Sequence, residues 1–175
     1  MKLLLIIITS LCVWRFPDRD IKEIYDADSY ETIFYDVSEK DQAIIEEILG
    51  YPLDVDETQF KFFTVFNGSD TVGTVATHLG KGQYGAIEVV VAMFYDNDPN
   101  KIKIKEVRIQ RDREKDRVNL RGDAFLGQFK GKGIDDPLTV PDDITPASEH
   151  SEKSSKAIAF AVRKLVVVYH YMVSK

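Results

Sequence analysis

The run Ile87–Tyr95, IEVVVAMFY, constrains this chain more than any other. Its apolar side chains fall at successive positions, and side chains on an extended strand alternate between the two faces. Both faces of such a strand need cover, so the run belongs in the middle of a sheet with material packed on either side. The flanking sequence supplies the neighbouring strands. Phe60–Phe66 and Thr71–His78 bracket Asn67-Gly68-Ser69-Asp70, a strong hairpin signal because Asn-Gly accepts positive φ. The glycine-punctuated link Leu79–Ala86 leads into the central run, and Asp96–Lys101 reads as the turn after it. Ile102, Ile104, Val107 and Ile109 then mark a further strand whose parity changes between Ile104 and Val107, which predicts a bulge or bend. Consecutive strands joined by short turns make an antiparallel meander.

Helical patterns lie on both sides of the meander. Asp18–Tyr25 places Ile21, Ile24 and Tyr25 on one side, and Tyr30–Val37 alternates as a strand. Ser38 is positioned to cap the next helix, with Asp41 closing a capping box, and Gly50 and Pro52 end it. Asp112–Arg117 reads as a solvated charged loop, and Asp123–Phe129 as a short helix with Phe125, Leu126 and Phe129 together. Ala157, Ile158, Ala161, Val162 and Leu165 trace one face of a last helix running to about Met172, with Ser154 or Ser155 as its N-cap. The expected fold is α+β: a bent antiparallel β-meander packed with helices before and after it.

The chain has 175 residues, enough for one domain, which we expect to span residues 16–175. Residues 1–15 stand apart. Lys2 is followed by twelve mostly apolar residues, a length that fits the core of a signal peptide and falls short of a membrane span. We therefore expect export to the periplasm, or membrane association on the extracytoplasmic side. A net charge of −6 argues against a nucleic-acid partner. The single cysteine, Cys12, excludes an internal disulfide and a cysteine-based metal site in one chain. His78, His150 and His170 lack metal-ligand spacing, so a metal is not expected.

The stretch Asp142–Ser155, DDITPASEHSEKSS, is polar, hydroxylated and set just before a helix. Free N–H groups and the positive end of the helix dipole suit such a place to an anion. Phe16-Pro17-Asp18, Thr77-His78, Tyr84–Val91, Ala124–Lys132 (AFLGQFKGK), Asp136-Pro137-Leu138, and Ser154–Ala157 with Val162–Leu165 occur in a telling order. Together they resemble the FMN-binding domain found in subunits of the sodium-pumping quinone reductase and Rnf-type complexes, and most closely its small exported proteins. The resemblance covers nearly the whole chain after residue 15.

That resemblance implies an FMN-binding electron-transfer protein rather than a stand-alone enzyme, working with membrane or soluble redox proteins. In the family, the loop before the last helix carries a D-x-x-(S/T)-G-A-T-x-(S/T)-S pattern whose threonine a flavin transferase can join to the FMN phosphate. One alignment here makes Ser148 the acceptor, with Pro146 in place of the glycine; another makes Ser151 the acceptor, with one residue inserted before Ser154. Ser148, Ser151, Ser154, Ser155 and Thr145 would then surround the phosphate, with Lys132 or Lys156 as the cation. Tyr84, Leu126 and Phe129 are the candidates for the ring slot, and His78 for the ring edge. The alternative is a degenerate member that has lost flavin and serves as a binding or structural module. Pro146 weighs against the covalent bond, because proline fixes φ and removes a backbone donor where a phosphate needs close approach, and leaves non-covalent FMN and no flavin both open.

Overall fold

The computed structural model describes residues 17–27 and 29–175. The expected leader, residues 1–15, lies outside them. Five strands, β1 Ser29–Asp36, β2 Gln59–Asn67, β3 Asp70–Lys81, β4 Ala86–Phe94 and β5 Ile104–Arg111, form one sheet in sequence order. All four pairings are antiparallel. The meander expected from the sequence is therefore the fold. Between β4 and β5 the register moves from Met93↔Ile104 to Ala92↔Glu106, so Lys105 is the extra residue. This is the bulge signalled by the parity change.

Helices cover both faces. α1, Asp18–Tyr25, packs Ile21, Ile24 and Tyr25 with Phe63, Val65, Val75, Val90 and Ala92 on one face. The Tyr25 hydroxyl donates to the Met93 carbonyl at 2.6 Å, and its ring lies where a Cβ on residue 73 would stand, so position 73 must be glycine. On the other face lie α2, Glu39–Leu49, and α5, Glu152–Val173. There Ile45, Ile158, Val162, Leu165 and Tyr169 meet Phe62, Ala76, Val89, Val91 and Ile104. Residues 89–93 of β4 are fully buried, as a strand apolar on both faces requires.

The local signals in the sequence are realised at α2. Ser38 accepts from the Asp41 N–H at 3.2 Å while Asp41 accepts from the Ser38 N–H at 3.4 Å, a reciprocal capping box, and Gly50 ends the helix at φ 79°. The end of α5 differs from expectation. A 3-10 turn, Glu149–Ser151, runs directly into the helix at Glu152. Ser154 and Ser155 consequently lie inside the first turns, fully buried, and neither is the N-cap. Between β5 and α5 stand two short helices, α3 Arg117–Leu120 and α4 Asp123–Leu126, the second continued by a 3-10 turn over Gly127–Phe129.

Candidate functional site

The start of α5 gathers four of the serines singled out from the sequence. Each hydroxyl is engaged by protein. Ser155 Oγ accepts from the Ala147 N–H at 3.0 Å, folding the loop back on the helix. Ser154 Oγ donates to Glu114 Oε2 at 2.5 Å and accepts from the Gln83 N–H at 3.3 Å. Ser148 Oγ donates to Asp116 Oδ2 and lies 2.9 Å from Ser151 Oγ. Ser151 is buried; Ser148 is half-buried.

The carboxylates that meet these hydroxyls come from Asp112–Arg117, where the sequence suggested a solvated loop. The structure corrects that reading, because Asp112 and Glu114 are buried. Burial pushes the Asp112 carboxyl up, but Arg117 Nε at 2.8 Å, Arg121 Nη2 at 2.5 Å and the Glu114 N–H at 2.9 Å outweigh it and hold it below the usual range. Glu114 Oε1 accepts from the Tyr84 N–H at 2.9 Å. Position 82 leaves little room for a side chain, since a Cβ there would crowd Glu114 Oε1 and Ile87 Cδ1. The hydrogen bond from Ser148, with those from Asn119 and Ser151, keeps the Asp116 carboxyl below its ordinary range. The cluster thus clasps three segments: residues 82–84 after β3, residues 112–121 after β5, and residues 147–155 at the start of α5.

The remaining predicted residues divide between this cluster and other places. Tyr84 joins through its backbone; its side chain is 44% exposed, with Lys115 Nζ 4.6 Å above the ring. Thr145 is held to Gln128, which accepts from its N–H at 2.8 Å and donates to its carbonyl at 3.0 Å. Lys132 is bound to Asp143 at 2.8 Å, and that bond raises its pKa. Lys156 pairs with Glu152 at 2.6 Å. His78 belongs to a different cluster, 3.1 Å from Glu57, which in turn holds Lys164. Phe129 is wholly buried in the core. Asp112, Glu114 and Asp116 are the residues that sequence reasoning missed. Their signal was the acidic alternation at 112, 114 and 116 together with arginines at 117 and 121, four apart and able to reach one carboxylate.

No protein-family model matches this sequence, and no curated protein matches it either.

Whether an FMN phosphate fits is therefore a question for the geometry alone. A phosphate needs free donors and a favourable field. Here Ser148 and Ser154 turn their hydroxyls to Asp116 and Glu114, Ser151 donates to the Ser148 carbonyl, Ser155 accepts from Ala147, Pro146 offers no N–H, and Lys132 and Lys156 each carry a carboxylate partner. A phosphate anion at Ser148 would stand against the Asp116 carboxylate, and like charges at contact disfavour each other. These residues do not fit the phosphate group. A separate cleft of about 390 Å³ opens between β5 and the α3–α4 segment. Lys105, Arg108, Arg121 and Lys130 line it against Glu106 and Asp123, with Leu126 on its apolar side.

Proposed function

We propose that this chain is an exported, flavin-free domain of the FMN-binding type that acts as a binding or structural module. The observation that carries the reading is the serine–carboxylate clasp. The loop that would hold a flavin phosphate has its hydroxyls committed to Glu114 and Asp116, one buried and one half-buried. The clasp ties together residues 82–84, 112–121 and 147–155, which is the work of a structural lock. The test is to produce the full chain with and without a flavin transferase and to record its visible spectrum and intact mass. A colourless protein of unchanged mass that ignores added FMN supports the reading. A mass increase equal to an FMN phosphoester, abolished by Ser148→Ala or Ser151→Ala, overturns it in favour of an electron carrier.

One observation favours a second reading, in which the chain carries FMN without a covalent bond. The cleft beside β5 falls within the size range of small-molecule sites, roughly 300–1,000 Å³; of its cations Arg108 and Arg121 are engaged by Glu106, Glu23 and Asp112 and Lys105 lies over Tyr25 and Phe94, which leaves Lys130 to meet an anion. Lys130 and Leu126 would hold the phosphate and cover the ring there, and flavin would supply the redox chemistry. FMN fluorescence quenching that saturates with wild-type protein and weakens with Lys130→Ala supports this second reading; no quenching removes it.

A further inference from the structure

The sheet has two edges, and the chain treats them differently. The β5 edge is paired at its start, where Ile104 donates to the Lys132 carbonyl and accepts from the Gly131 N–H, both at 2.8 Å, and Lys103 bridges to Gly133; the α3–α4 segment faces the rest of it across the cleft. Among the described residues nothing pairs with the outer edge of β1. β1 pairs with β2 over eight residues without a register shift, and it contains no proline, glycine or lysine. Native sheets blunt exposed edges with bulges, prolines or charged side chains, lysine above all; of these β1 has only Glu31 and Asp36, with Lys61 of β2 5.5 Å over the Phe34 ring. Glu31, Thr32, Ile33 and Phe34 are exposed in succession, Ile33 at 41% and Phe34 at 56%.

The direction of the free backbone groups follows from the register. Val37, one residue past the Asp36↔Gln59 pair, donates its N–H to the Thr58 carbonyl at 2.8 Å. Residues along an antiparallel strand alternate between bonding to one neighbour and to the other. With no shift along β1, the N–H and C=O groups of Tyr30, Thr32, Phe34 and Asp36 all point away from β2. We propose that β1 pairs antiparallel with β1 of a second copy, about a two-fold axis through Ile33. A two-fold normal to the sheet pairs residues of equal parity. Centred on Ile33, it sets Thr32 against Phe34 and Tyr30 against Asp36 in each direction, so every outward group finds a partner and the two sheets become one of ten strands. The exposed Ile33 side chains meet at a pair without backbone bonds, the closer kind of cross-strand contact. Glu31 falls opposite Tyr35 of the second copy, so the two Glu31 carboxylates stay roughly 13 Å apart along the strands, at about 3.3 Å per residue. No like charges face one another.

This inference goes beyond the binding-module reading by naming the partner, and it can fail while the chain remains colourless. The area is small for a stable dimer, below about 1,200 Å², so association depends on concentration. Because each copy carries a net charge of −6, it tightens with salt. The experiment is sedimentation velocity on the full chain up to about 1 mM, with amide exchange followed by NMR. The expected result is a monomer–dimer equilibrium in which the amides of Tyr30, Thr32, Phe34 and Asp36 gain protection as concentration rises. Thr32→Pro removes only an outward N–H, which edge strands tolerate, and Ile33→Lys sets two ammonium groups face to face. Each weakens the dimer by at least about tenfold while leaving the far-UV circular dichroism unchanged. A monomer at all concentrations, a dimer indifferent to both variants, or protection gained elsewhere overturns the proposal.

Discussion

Replacing Glu57 by glutamine tests the buried charge cluster beside the α5–β3 contact. Lys164 lies on α5 with only 1% of its surface exposed, and its ammonium sits 2.6 and 2.7 Å from the two Glu57 oxygens. Asp54 is 4.0 Å away and largely in solvent, a weak substitute. Glu57→Gln therefore leaves a buried, unpaired cation, at a cost of about 3–5 kcal/mol. A domain of this size loses about 2–4 °C of Tm per kcal/mol, so the melting temperature falls by roughly 6–20 °C. Lys164→Met costs far less, about 1 kcal/mol, because Glu57 keeps the Asp54 N–H at 2.8 Å and His78 at 3.1 Å. The double variant is more stable than Glu57→Gln alone, since it removes the stranded charge. Burial pushes the Glu57 carboxyl up, but His78 and Lys164 outweigh it and bring it down to about 2. Its folded-state pKa is thus depressed below the ordinary 4.5. The resulting stability is fully present above about pH 4.5 and is lost as pH falls toward about 2; discounted for partial solvent contact it amounts to about 2 kcal/mol. Urea unfolding of the four proteins between neutral and acid pH measures both effects. Singles that add without coupling, or a Glu57→Gln cost below about 1 kcal/mol, would refute the reasoning.

Two further outcomes are expected. Gly82→Ala should cost about 1–3 kcal/mol, because the new Cβ meets Glu114 and stands 2.6 Å from Ile87 Cδ1; urea midpoints give the cost, and the Tyr84 amide resonance should shift with it. Ser38→Ala should cost about 1 kcal/mol by removing the α2 cap, and thermal melts on Ser38→Ala and Ser38→Gly, the latter nearly neutral, separate the cap from other effects.

The fold was legible where one physical term dominated. Two-faced apolarity placed β4 inside the sheet, between β3 and β5 though not at its middle, Asn67-Gly68 marked the hairpin, the parity change marked the Lys105 bulge, and Ser38 with Asp41 marked the start of α2. The site was harder to read. A serine ahead of an apolar stripe looks like an N-cap, yet the chain wound one more turn and carried Ser154 and Ser155 inside, where their hydroxyls serve other segments. Asp112 and Glu114 looked solvated because a charge is ordinarily exposed. Asp112 is compensated nearby, by Arg117 and Arg121 five and nine residues on, but the burial of Glu114 depends on Ser154 and the Tyr84 N–H arriving from elsewhere in the chain, and long-range compensation of that kind leaves no periodic trace.

The clasp also suggests how to turn the loop into an anion site. Ser148 and Ser154 are donors whose acceptor positions are filled by the Asp116 and Glu114 carboxylates, with Ser151 hydrogen-bonded to Ser148. If those charges are what exclude an anion, Glu114→Gln with Asp116→Asn removes two negative charges while keeping two side chains of nearly equal size. Each carboxamide keeps one oxygen for the Tyr84 N–H or the Asn119 amide and turns its NH2 to a serine hydroxyl, which must then accept rather than donate, so the fold should hold at a cost of about 1–3 kcal/mol. The variant should then gain stability from phosphate by mass action, about 2.7 kcal/mol when the ligand stands at 100 times its dissociation constant, while the wild-type chain responds no more to phosphate than to chloride at equal ionic strength. Comparing melting temperatures in matched phosphate and chloride series decides the matter. A wild-type chain that phosphate already stabilises would show that the carboxylates do not guard the loop. A folded double variant indifferent to phosphate would place the obstacle in the backbone, at Pro146, rather than in the charges.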